Sequence, residues 1–139
     1  MFLLQVIITC WLAGMATWRL HHHLQRGPVL ASAVVTLVAG LVLPATFENG
    51  HVLAAVAACG SYVGMSANIR LSTTLEISAA LVLASVLFVV SANIFMGVGG
   101  RLGTIAAVSA MTVWGCSQLL KQGPLARGVV ARIMLRVFR

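Results

Sequence analysis

The 139-residue sequence carries nine Lys or Arg, only two Asp or Glu, and 60% hydrophobic residues, for a formal charge of +7. Soluble domains run at about 25% charged residues; at 8% this chain has too few to clothe a water-facing surface. A spanning helix needs about 20 mostly apolar residues, and five such runs use most of the chain. The expectation is an all-α integral membrane bundle of five transmembrane helices, followed by a C-terminal amphipathic interfacial helix.

The first run, 1–18, has no positive start and ends in Trp18-Arg19 with no small-residue cleavage site. It reads as a retained helix, not a signal peptide, with Trp18 suited to an interfacial belt. His21-His22-His23 follows at the interface. Three consecutive histidines cannot share one helix face, and no carboxylate or cysteine in that loop completes a metal site, so solvation is the expected role. Gly27-Pro28 opens the second run, 28–46, with proline at a tolerated first-turn position. Phe47-Glu48-Asn49-Gly50 reads as a polar turn. The third run, 51–67, is the weakest. It holds Cys59, Gly60, Ser61, Tyr62, Gly64 and Ser66, and it reads as a full span, a tilted one or a re-entrant segment packed inside protein.

Thr73-Thr74-Leu75-Glu76 fits a capping box, with Thr73 as N-cap and Glu76 reaching back. The fourth run, 76–95, is the most convincing span. Met96-Gly97-Val98-Gly99-Gly100 breaks it, and the fifth run covers 102–120. In the basic tail, 121–139, Arg132, Arg136 and Arg139 fall on one face at 100° per residue, opposite Val130, Ile133, Met134, Val137 and Phe138. Such a helix lies at the interface and favours anionic lipid headgroups.

Orientation follows from alternation. With five spans, Arg19, Arg26, Arg70 and the five basic residues of the tail share one side, which is eight of the nine. The positive-inside rule puts that side, with the C-terminus, in the cytoplasm of a bacterial inner membrane and the N-terminus outside. Basic residues that flank apolar runs mark a membrane face, so the isoelectric point near 11.2 does not signal nucleic acid; no aromatic-interleaved basic stripe is present.

Arg101 is the one basic residue on the outer side. If it turns inward, it is a candidate for contact with a solute or lipid beside Asn93 and Glu48. Tyr62, Ser61, Asn68, Arg70 and Asn93 complete the candidate solute- or lipid-contacting set, because polar residues within or beside spans are default site candidates. Packing is the competing role for them. Gly60 with Gly64, and Gly99 with Gly103, are GxxxG pairs that let backbones approach. Ser78, Ser85 and Ala92, spaced by seven, form a small-residue seam. Ser66-Ala67-Asn68-Ile69 and Ser91-Ala92-Asn93-Ile94 form a short near-repeat on opposite sides of the membrane, as in inverted-repeat transporters.

No acid lies inside a span, so carboxylate-driven ion coupling is disfavoured. No nucleophile–base pair, paired acids or metal set is present, so no enzyme, cofactor or metal is expected. Cys10, Cys59 and Cys116 lie one per run, without metal spacing. The leading expectation is a non-enzymatic subunit of a membrane assembly, as a homo-oligomer or with a larger partner. The alternative is a small carrier or channel that functions as an oligomer.

Overall fold

The computed structural model describes residues 2–24, 27–66, 70–92, 94 and 100–121. Within them the chain is all-α, with no strand: α1 (Phe2–Leu24), α2 (Pro28–Thr46), α3 (Gly50–Gly64), α4 (Thr74–Val90) and α5 (Arg101–Lys121). Asn68, Asn93, Gly99, the near-repeat's central residues and the tail with Arg132, Arg136 and Arg139 lie outside the described residues.

Cross-helix contacts fix the directions. Cys10 opposes Gly60 and Gly14 opposes Gly64, so α1 and α3 run parallel. Ser32 meets Ser61 and Leu43 meets Gly50, so α2 runs against α3. Glu76 meets Lys121 and Phe88 meets Arg101, so α4 runs against α5. Successive helices therefore alternate in direction. Arg19, Arg70, Glu76 and Lys121 gather toward one end, called the basic end below, and Glu48 and Arg101 toward the other.

The exterior, like the core, is apolar, unlike that of a water-soluble bundle. Three helices, α1, α2 and α5, are long and apolar enough to cross a membrane, and the buried share of α2 is only 11%. Its Val29, Leu37 and Leu41 face outward. The apolar helices mark a membrane protein, whose surface meets lipid tails as apolar as leucine.

The centre is α3, the run with the weakest sequence signal. It touches all four other helices. Its small residues face neighbouring backbones, with Leu53, Val56, Cys59, Gly60, Ser61 and Gly64 among its buried positions. At 15 residues it spans about 22 Å at 1.5 Å per residue, less than the ~30 Å hydrocarbon core. A helix wrapped by others is screened from lipid, so its ends need not reach the interface to find partners. That accounts for its short length.

Helix limits differ from the apolar runs in three places. α1 continues through Arg19 and the histidines to Leu24, because leaving hydrocarbon does not end a helix. α3 stops at Gly64, where Met65 N–H donates to Ser61 O at 3.1 Å. α4 ends at Val90, short of position 95, with Ser91 N–H on Leu87 O at 2.9 Å and the Ser91 hydroxyl on Phe88 O at 3.4 Å. Serine closing the last turn on its own carbonyls is a common rival to helix continuation. The seam through Ser78 and Ser85 therefore does not reach Ala92, which lies beyond the helix.

Candidate functional site

The described polar residues fall into three groups: clamps at the ends, hydroxyls in the interior, and donors along an outer groove. At the basic end the Thr73/Glu76 capping box forms. Glu76 Oε2 accepts the N–H of Ser72 at 3.0 Å and of Thr73 at 3.3 Å. Its Oε1 accepts the Ser117 hydroxyl and, at 2.8 Å, the Lys121 ammonium. The cap thus also ties the start of α4 to the last turn of α5. Lys121 sits at a helix C-terminus, where a cation suits the macrodipole. Its side chain is 56% exposed, so the ion pair contributes about 0–1 kcal/mol. Glu76→Ala is expected to cost about 1–2 kcal/mol, mostly from the cap. Lys121→Met should cost less than half of that; equal losses in detergent unfolding titrations would contradict the ranking.

Ser61 is fully buried between α2 and α3. Its hydroxyl donates to Ala58 O at 2.8 Å. With its only proton spent there, the contacts to Ser32 Oγ at 3.0 Å and Thr36 Oγ1 at 3.1 Å require those two hydroxyls to donate to it. Every donor and acceptor of Ser61 is used, leaving nothing for a solute. Thr17, Ser85 and Ser109, also buried, each donate to a carbonyl of their own helix. Interhelical hydrogen bonds in membranes average about 0.6 and reach about 1.7 kcal/mol, so Ser61→Ala should cost about 1–2 kcal/mol in detergent unfolding. No loss at all would remove its role as a link.

Arg101 turns inward onto α4. Its Nη2 donates to Phe88 O at 3.4 Å, and its guanidinium lies 5.2 Å from the centre of the Phe88 ring. A cation at the first residue of α5 opposes that helix's own dipole, but the last turn of α4 offers the favourable negative end. The ring contact adds about 0.5–2 kcal/mol. Nε is buried without a partner, and Arg101 and Glu48 form no ion pair. The arginine therefore staples the α4–α5 corner.

Tyr62 and Arg70 are both exposed. Tyr62 is a ridge on α3 between α2 and α5, with a groove on either side. The groove toward α5 runs from Gly103 to Arg70, whose Nη1 donates to Met111 Sδ at 3.5 Å. Gly103 presents open space to this groove: an added Cβ would meet nothing within 4 Å. It differs in this from Gly60 and Gly64, whose added Cβ atoms would collide with the carbonyls of Cys10 and Gly14. Ser78 accepts the Trp11 indole N–H at 3.1 Å across the α1–α4 seam.

Trp18 and His22 meet with their rings tilted by 40° and 4.5 Å between centroids, and His22 Nδ1 lies 2.6 Å from Trp18 O. That carbonyl accepts, so Nδ1 carries the proton. Cys10 and Cys59 are buried, with thiols directed at Leu81 O and Leu102 O. Among the described residues no three His, Cys, Asp or Glu side chains group to hold a metal.

Several partnerships were not legible from local pattern: Ser117 and Lys121 on Glu76, Ser32 and Thr36 on Ser61, and Trp11 on Ser78. Gly14 carried a usable signal, since Cys10 and Gly14 form a small-xxx-small pair matching Gly60 and Gly64. No protein-family model, curated protein or solved structure matches the chain.

Proposed function

We propose that this chain is a non-enzymatic subunit of a membrane assembly, either a homo-oligomer or bound to a larger partner. The observation that carries the proposal is that its interior hydroxyls spend their protons within the bundle. Ser61, Ser32, Thr36, Thr17, Ser85 and Ser109 bond to one another or to helix carbonyls, so none of these hydroxyls keeps a proton to donate to a solute. The outward grooves and lipid-facing sides hold the surfaces through which such a protein acts.

In this proposal all five helices cross a bacterial inner membrane, N-terminus outside and C-terminus in the cytoplasm. The alternating helix directions support it, as does the gathering of Arg19, Arg70 and Lys121 toward one end. The basic tail then lies along anionic lipid in the same leaflet.

Extraction in mild detergent, followed by mass measurement and identification of co-purifying proteins, tests the reading. A fixed multiple of the chain mass, or a partner at constant ratio, is the expected result. A lone monomer that also drives solute flux in sealed vesicles would overturn it in favour of a carrier. Reporter fusions after Leu24, Asn49, Ser72, Gly100 and Arg139 test the topology.

A further inference from the structure

The groove between α3 and α5 has a volume of about 630 Å³, inside the ~300–1,000 Å³ range of small-molecule sites. Along α5 its wall is built of small residues, Gly103, Ala106, Ala107 and Ala110, with Met111 at the end near Arg70. Toward the basic end the character changes. Tyr62, Ser66 and Arg70, spaced by four, bring two hydroxyls and a guanidinium to the same groove.

These groups differ from the interior ones in being unspent among the described residues. The hydroxyls of Tyr62 and Ser66 have no hydrogen-bond partner among the described residues. Among the described residues Arg70 donates only to the Met111 thioether, a weak acceptor, and has no acidic partner. An apolar slot that ends in a cation and two hydroxyls toward the basic end has the polarity of one lipid molecule.

We propose that this groove is a binding site for a single anionic phospholipid, its phosphate at Arg70 and an acyl chain along Gly103 and Ala107. A second copy of the chain is the poorer occupant. The sequence has two acids: Glu76 is held by Lys121, and Glu48 lies toward the opposite end, so a parallel copy supplies no carboxylate to Arg70. The site goes beyond the assembly reading and shares with it only the membrane setting. A correct oligomeric mass with no retained lipid would refute the site alone.

The test uses the full chain in mild detergent at physiological salt, and the position of the label separates lipid in the groove from lipid held by the basic tail. The probes are phosphatidylglycerol and phosphatidylcholine with identical acyl chains, one of which carries a photoactivatable group. Phosphatidylglycerol should be retained over phosphatidylcholine in native mass spectra, and the label should fall on the tryptic peptide 102–121. Arg70→Gln should lower phosphatidylglycerol retention about fivefold, the usual weight of one basic residue near a charged surface. Gly103→Leu starts from a Cβ position with nothing within 4 Å, puts its side chain into the slot, and should abolish labelling of that peptide, with helix content and elution volume unchanged. Equal retention of both lipids, an unchanged preference in Arg70→Gln, or undiminished labelling in Gly103→Leu would overturn the proposal. So would a cross-linked protein chain seated in the groove in place of lipid.

Discussion

Replacing Gly60 with leucine is expected to unfold the bundle or leave it with a stability loss of at least about 3 kcal/mol. An added Cβ meets the carbonyl oxygen of Cys10, with the carbonyl carbon and Sγ of Cys10 each at 3.1 Å. The obstacle is backbone, which cannot rotate away as a side-chain tip can. Relief requires α1 to move off α3, and α3 is the helix on which the other four rest. In lipid no hydrophobic force pulls the separated helices back, because association there depends on close packing and hydrogen bonds. Gly115→Ala is the matched control. A Cβ at Gly115 has nothing within 4 Å, so alanine should stabilise by about 0.5–1 kcal/mol through helix propensity. Denaturation by SDS titration from a mild detergent reads both. A Gly60→Leu midpoint at or above the parent's would remove the α1–α3 contact as the structural centre.

What the sequence revealed and what it hid divide along a physical line. The positions of the apolar runs follow from the length of hydrocarbon to be crossed, so α2 and α5 fall within a residue of the expected limits. The capping box at Thr73 and Glu76 is local, and it too was readable. The importance of α3 was not. Mean hydropathy does not set the central helix below α1 or α5; its short length and its glycine, serine and cysteine made the most buried helix look the least credible. The bonding of Ser61 was hidden for a related reason. A serine within a span signals a polar need, but whether Ser32 and Thr36 meet it depends on how α2 crosses α3. Arg101 turned inward as the sequence allowed, yet its partners are the Phe88 carbonyl and ring, because the last turn of α4 lies beside it and Glu48 does not.

Gly14 and Leu81 supply a test of coupling across the α1–α4 seam. Leu81 is fully buried, and a Cβ placed on Gly14 would collide with its Cδ2 and lie 2.8 Å from Cδ1. Leu81→Ala alone should cost about 2 kcal/mol, the lower end of the 2–5 seen for buried leucine. The reason is that the unfolded segment stays among apolar chains, so the loss is mainly cavity and dispersion, with little transfer free energy. Gly14→Ala alone should cost about 1–3 kcal/mol by overpacking, offset in part by helix propensity. Combined, the two should cost less than their sum, because the space vacated by Leu81 admits the new methyl. Rescue should stop short of complete: the same Cβ lies 2.9 Å from the Gly60 carbonyl oxygen, which neither substitution moves. A coupling of about 0.5–3 kcal/mol in the compensating direction is the range for residues in contact. Strict additivity would place Leu81 away from Gly14. Full restoration would mean that the α1–α3 backbones stand further apart than the Gly14, Gly60 and Gly64 contacts require, and the case for α3 as the helix that organises the other four would fall with them.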